Sequence, residues 1–330
     1  MSPEHVSTTG RAPAQFEYRP ARVDEIADCA EIWRVAINDY IGRLGQSEVQ
    51  EETGPLQRLY GHLQSTDPDR FVVAVDADDR VMAFGAAVMR ERMWFLSMLF
   101  VLPEAQGAGV GREILRRIGP PPGTDVVRAT ATDSLQPISN ALYASVGIVP
   151  RVPLFNLVGI PDRPDAFGAL PSGVQVVPFE TLAGGPPAGD ASAAGDGHGR
   201  LAATVDALDR ETLGVAHPLD HRWIRREGRR GFLFNGPDGE PVGYGYASES
   251  GRVGPIAVRD ADLMAPVIGW LLGTVQARGA YAMWLPGSAD AAIVGALRAG
   301  LRFDEFPLLL CWDRPFADTA RYLPISPGLL

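Results

Sequence analysis

The feature that most constrains this chain is a repeat: one order of strand- and helix-like segments occurs twice, about 155 residues apart. In the first pass, Phe16 to Arg19 reads as a strand. A helix follows from Asp24, with Ile26, Ala30, Trp33, Ile37 and Tyr40 at helical spacing. A short helix at 56–63, a hairpin of 71–75 with 81–88 across Asp76-Ala77-Asp78-Asp79, and a strand at 93–101 come next. A helix begins within 107–111, and strand 126–131, helix 136–146 and strands around 148 and 154–158 close the series. The second pass has strand 173–178, helix 201–213, hairpin 231–235 with 242–247, strand 252–258, helix 263–275, strand 281–285 and helix 289–299. The endings correspond too, Gly147–Val158 against Gly300–Trp312 with Pro153 matching Pro307. A period this long is that of a duplicated domain, not of a solenoid.

The expected organisation is therefore a flexible tail at 1–15, a first domain at 16–160, a joint at 161–172 and a second domain at 173–330. A disordered loop is expected near 183–199, where AGGPPAGDASAAGDGHG lacks an apolar anchor. The tail RYLPISPGLL has five apolar side chains and is expected to dock. At 330 residues and 46% hydrophobic, the chain can build two cores, and no uncharged apolar run reaches membrane-spanning length. The N-terminus lacks the pattern of a signal peptide, which places the protein in the cytoplasm. All 30 basic residues are arginine, which excludes Schiff-base and P-loop lysine chemistry; this usage reads as that of a GC-rich bacterial genome. A net charge of -10 argues against nucleic acid as a partner and tolerates cationic substrates.

Cys29 and Cys311 read as reduced core thiols. His217-Pro218-Leu219-Asp220-His221 is the nearest approach to a metal motif. Pro218 is taken to break the helical spacing and Asp220 to cap a helix at 222–227, so no metal is expected. Arg222, Arg225, Arg226, Arg229 and Arg230 read as a solvated face.

The segment richest in chemistry runs from Leu99 to Arg112 (LFVLPEAQGAGVGR). An apolar strand enters a glycine-rich turn that opens a helix, so backbone N–H groups and the positive helix end can face one anion. Its Gln-x-x-Gly-x-Gly spacing, from Gln106 to Gly111, resembles the coenzyme A loop of GNAT N-acetyltransferases. Ser139 to Gly147 is similar to that family's later helix, with Tyr143 four residues before the glycine. The resemblance covers roughly residues 16–158. A Rossmann-type loop is the competing reading, but the glycines follow the fourth strand and no acidic ribose partner is spaced for them.

The resemblance implies an α/β (α+β) protein of two GNAT-like units, each a mixed, largely antiparallel sheet flanked by helices. It implies acetyl-coenzyme A as cosubstrate, with Leu99, Phe100 and Val101 along the pantetheine arm. Gln106, Gly107, Ala108, Gly109, Val110, Gly111 and Arg112 would surround the pyrophosphate, and Arg116 or Arg117 is an alternative phosphate partner. Tyr143 would be the acid for the leaving thiolate, and Ser97 would orient a water in place of the carboxylate many members carry on the fourth strand. Asp39, Glu104 and Asp133 are indirect candidates for the base. Trp33, Ile37 and Tyr40 either pack in the core or line the acceptor cleft. The second copy has Arg259-Asp260-Ala261-Asp262 in place of the glycines, and carboxylates at a helix start repel a pyrophosphate. The acceptor is a small-molecule or peptide amine and the assembly a monomer or homodimer. A non-catalytic acyl-coenzyme A sensor is the alternative function.

Overall fold

The structure, a computed structural model, describes residues 16–49, 52–183, 191–304 and 306–330. Contacts divide the chain into two compact units: residues through Val88 with Met98–Pro121, and Met89–Ser97 with Pro122–Leu330. The expected tail at 1–15 lies outside the described residues.

In the first unit, β1 (Glu17–Pro20) pairs antiparallel with β2 (Phe71–Val75), after α1 (Ile26–Arg43) and α2 (Gly54–Thr66). β2 pairs with β3 (Val81–Arg90) from Phe71↔Ala86 to Val75↔Val81. β4 (Met93–Val101) contributes its last four residues here and leads to α3 (Val110–Ile118). Both faces of β2 are buried, which explains its unbroken apolar run FVVAV. The core is aromatic: Phe84 lies 5.2 Å from Tyr60, 5.8 Å from Phe71 and 5.8 Å from Phe100, ring centre to ring centre. Such pairs add about 0.5–1.5 kcal/mol each to simple area burial.

The second unit holds two sheets. In one, the first half of β4 pairs in parallel with β5 (Val127–Asp133), from Met93↔Val127 to Leu96↔Thr130. α4 (Pro137–Ala144) follows β5, and β6 (Val149–Gly159) is one continuous strand where the sequence suggested two. β7 (Gln175–Pro178), α5 (Phe179–Ala183), α6 (Ala191–Thr212) and α7 (Pro218–Arg226) come next. Then follow β8 (Arg230–Asn235), β9 (Pro241–Ala247), β10 (Val253–Val258), α8 (Met264–Thr274), β11 (Tyr281–Pro286), α9 (Asp290–Arg298), β12 (Arg302–Phe303), β13 (Leu308–Trp312) and β14 (Tyr322–Leu323). β13 lies between β5 and β6, pairing antiparallel with both, and β6 pairs in turn with β11. The last strand of each sequence repeat thus joins strands of the other. The other sheet runs β14-β10-β9-β8-β7. The chain is a mixed α/β protein with one sheet that combines parallel and antiparallel pairs and one of antiparallel pairs, flanked by helices.

Three sequence expectations meet local differences. Of the loop expected near 183–199, residue 183 ends α5, 184–190 lie outside the described residues, and 191–199 form the first half of α6. The joint at 161–172 includes a 3-10 turn, Pro164–Phe167, whose Phe167 is buried in the core beside α8 and α9. The tail docks as expected: Tyr322, Leu323, Ile325, Leu329 and Leu330 are buried. Cys29 and Cys311 are free and buried.

Candidate active site

The loop after β4 is built by three local devices. Leu102 N donates to Met82 O (3.0 Å), and a 3-10 turn at Pro103–Ala105 lowers the chain to Gln106, whose side chain donates to Val101 O (3.1 Å). Gly107 and Gly109 have φ of +80° and +81°, a region that costs an L-residue about 1–2 kcal/mol. No heavy atom lies within 4 Å of a Cβ built on either, so a space opens over the turn. Residues 106–109 are exposed.

Gly109 is the N-cap of α3, and no side chain caps this end. The first amide bonded back within the turn is Glu113 N, to Gly109 O at 3.1 Å, so the earlier amides point out of the helix start. The helix is held against the sheet at Gly85, where a Cβ would lie 2.4 Å from Ile114. Glycine at this position allows that approach, and the seat of α3 on the sheet depends on it.

The arginines after the loop divide. Arg116 and Arg117 both pair with Glu113, at 2.7 and 2.8 Å, and Arg117 also lies over the Tyr18 ring. These hydrogen bonds, Arg116 first, bring the Glu113 carboxyl down to about 2. Arg112 is exposed and makes no ion pair among the described residues, which leaves it the free cation of the helix start.

The β4–β5 ladder runs from Met93↔Val127 to Leu96↔Thr130, so Leu99 and Val101 lie beyond its last pair. Trp33 of α1 meets Phe100 of β4 edge-on at 6.5 Å. Trp33, Ile37 and Tyr40 are half-buried, neither core nor surface.

Ser97 is buried, and its hydroxyl donates to Gly328 O of the docked tail. Its proton is thereby committed to the tail, where the sequence reading gave it a water to orient. The proposed bases are engaged as well: Asp39 pairs with Arg43 (2.5 Å), Glu104 with Arg80 (3.3 Å), and Asp133 accepts from Leu135 N (2.8 Å). Tyr143 is buried on α4. Burial raises its phenol well above the ordinary value and nearby Cys311 adds to this, while a hydrogen bond with Ser139 works the other way. Burial also pushes the Cys311 thiol up to about 12.

Residues 28–147 match the sequence model of the Acetyltransferase (GNAT) family. This segment of the chain belongs to the GNAT family. No curated protein matches the chain by sequence. Solved structures share the fold at low identity. A protein from Pyrococcus horikoshii is 15% identical with a TM-score of 0.70, over 99% of this chain and all of that one. A GCN5-related N-acetyltransferase from Sphaerobacter thermophilus is 16% identical, TM-score 0.58, over 92% of this chain and 98% of that one. A tandem GNAT protein from the clavulanic acid biosynthesis pathway is 14% identical, TM-score 0.51, over 91% and 99%. The GNAT fold therefore accounts for more of the chain than the family-matched segment alone.

Two groups of polar residues departed from the sequence reading. Pro218 does not break α7: it is the first residue of the helix, with His217 as N-cap, and Asp220 lies inside the helix. A proline at this position sacrifices an amide that has no helical partner anyway. Asp220 accepts two hydrogen bonds from Arg90, both 2.7 Å, in a buried pair. Of the arginine run, Arg222, Arg225, Arg226 and Arg230 are exposed as expected. Arg229 instead donates to Gly254 O and to Ile325 O, and burial brings it down to about 10.

Proposed function

We propose that this chain is a cytoplasmic acyltransferase that moves an acetyl group from acetyl-coenzyme A to the amine of a small molecule or peptide. The observation that carries the reading is the uncapped start of α3 behind two left-handed glycines, with open space over both. These residues fit a diphosphate: outward amides and a helix dipole supply about half a positive charge without a side chain in the way. Leu99 and Val101 would hold the pantetheine arm along the strand edge, Gln106 to Gly111 the pyrophosphate, and Arg112 a phosphate oxygen.

Bound acetyl-coenzyme A supplies the activated acyl group; the chain's residues do the rest. The Leu99 amide donates to the acyl carbonyl oxygen, a type of contact worth about 2.7–4 kcal/mol when charge develops there. Trp33, Ile37 and Tyr40 offer an apolar surface with one hydroxyl to the acceptor. The amine reaches this surface protonated, with a pKa near ~10, and loses its proton to water, because β4 bears no carboxylate. Tyr143 donates the proton that the departing thiolate takes, and the proton that the acylated nitrogen then sheds returns through solvent to the Tyr143 phenol. The second copy is read as degenerate, a support for the first.

Free-thiol release from acetyl-coenzyme A in the presence of an amine panel tests this. Turnover with at least one primary amine, absent without it, is the expected result. Binding of acetyl-coenzyme A with no thiol release for any amine class would overturn transfer and leave a sensor.

A further inference from the structure

The interior of the second unit contains a group of polar side chains that the acyl-transfer reading does not use. Asp209, at the end of α6, and His217 and His221, at the start of α7, are all less than 4% exposed. His217 and His221 are four residues apart on one helical face, and their rings stack with centres 4.2 Å apart at 27°. Their Nε2 atoms converge on the same carboxylate oxygen, Asp209 Oδ2: His221 at 2.8 Å and His217 at 3.4 Å. One ligand atom from each of the three residues lies within 4.8 Å of the others.

From this geometry we infer that Asp209, His217 and His221 bind a divalent transition metal, zinc by preference, as a closed structural site. Metal–ligand bonds of about 2.0–2.1 Å separate tetrahedral ligand atoms by about 3.3–3.4 Å, so the carboxylate and imidazoles need only small shifts. Two imidazoles and a carboxylate form a borderline-soft set suited to zinc and cobalt, and unsuited to calcium or magnesium.

A second observation points to the same ligand. His217 Nδ1 is buried with no hydrogen-bond partner, 3.6 Å from Asp220 Oδ2. Without a metal, Tyr322 OH meets His217 Nε2 at 3.0 Å. The tautomer that leaves Nε2 free for a metal carries its ring proton on Nδ1, on the side of the Asp220 carboxylate that Arg90 fixes. His221 has the equivalent support, its Nδ1 lying 3.1 Å from Tyr246 OH. Outer hydrogen bonds of this kind orient ligating histidines. The remaining carboxylate oxygen, Asp209 Oδ1, accepts from Tyr244 OH. The Tyr322 hydroxyl, 3.0 Å from His217 Nε2, would supply the fourth position. Full burial leaves no route for substrate, which is why the assignment is structural.

The test uses the full chain, stripped with a chelator and titrated with Zn2+ or Co2+ alone. We expect one equivalent to bind with a Kd below about 1 µM, equivalent to more than about 8.2 kcal/mol. Long-range 15N spectra of the imidazoles should show metal-dependent Nε2 shifts in two of the five histidines. His221→Ala and Asp209→Asn should lose Co2+ affinity by at least about 100-fold. Should a variant fail to fold, the imidazole spectra of the unaltered protein still decide. Weaker or absent binding, shifts confined to other histidines, or full affinity in the folded variants would each overturn the site.

Discussion

Tyr143 is the one side chain given a chemical step, and its environment sets what removing its hydroxyl should do. The raised phenol keeps its proton throughout the working pH range, so the donor is always charged with its proton and the rate should show no basic limb from this residue below about pH 10. Tyr143→Phe should lower kcat by about 10²-fold with acetyl-coenzyme A affinity unchanged, the low end for general acid loss because coenzyme A thiolate leaves readily. A kcat within twofold, with chemistry limiting, would reduce the ring to packing. Glu25 is a residue the sequence did not single out. It accepts from Arg19 at 2.6 and 2.9 Å and from Arg22 N at 2.7 Å. Its carboxyl is depressed by the Arg19 hydrogen bonds first, against the opposing effect of burial. A depressed carboxyl stabilises the fold fully above its unfolded value of about 4.3 and loses that contribution as pH falls through the folded value. Glu25→Gln should therefore lower the Tm at pH 7 and have progressively less effect toward pH 3, read by thermal melts across pH. An equal effect at both ends would mean that the charge is irrelevant. At this scale legibility was uneven: Tyr143 was visible because a helix motif places it. Glu25 and the Asp209–His217–His221 group were hidden because their partners are set by tertiary packing. Pro218 actively misled, since a proline that reads as a breaker in sequence is harmless at a helix start.

At the scale of elements, hairpins and the glycine loop were the most legible, because alternation and turn chemistry are local: β2 and β4 begin and end where the residues indicated. The loop also gives the sharpest separation between fold and function. Gly109→Asp places a carboxylate at the start of α3, in a left-handed conformation that aspartate tolerates better than most residues, and with no atom for its Cβ to strike. The protein should therefore fold, while acetyl-coenzyme A affinity, measured by calorimetry, should fall by more than tenfold, about 1.4 kcal/mol or more. Unchanged affinity in the folded variant would remove the diphosphate seat from this loop. The helix that opens at Pro218 was placed four residues late, and β6 was read as strands around 148 and at 154–158. In the structure β6 carries Pro150 and Pro153 and still pairs with β13 at both residues.

For the whole molecule, the order of elements was legible but the pairing of the final strands was not, because β13 lies between β5 and β6 through pairings 154 to 183 residues apart that no local signal encodes. The same scale decides how many cofactor sites one chain should have. Val258 corresponds to Val101 in the repeat, so Ile256 corresponds to Leu99, and both belong to β10. In this copy the strand edge is taken: β14 pairs Ile256↔Leu323 and Ala257↔Tyr322, and Val258 N donates to Arg321 O at 3.0 Å. The helix start is taken as well, since Asp260 accepts from Asp262 N at 3.0 Å where the first copy has an uncapped glycine. On the proposed correspondence, the C-terminal segment would hold the strand positions assigned to a pantetheine arm, and the Asp260 carboxylate the position assigned to the pyrophosphate. Displacing it would break these bonds and expose Leu323, Leu329 and Leu330, each about 1.5–3 kcal/mol of apolar burial. Calorimetric titration with acetyl-coenzyme A should therefore return one site per chain, abolished together with activity by Gly109→Asp, whereas two sites of similar affinity would mean that the tail yields and that both copies bind the cofactor.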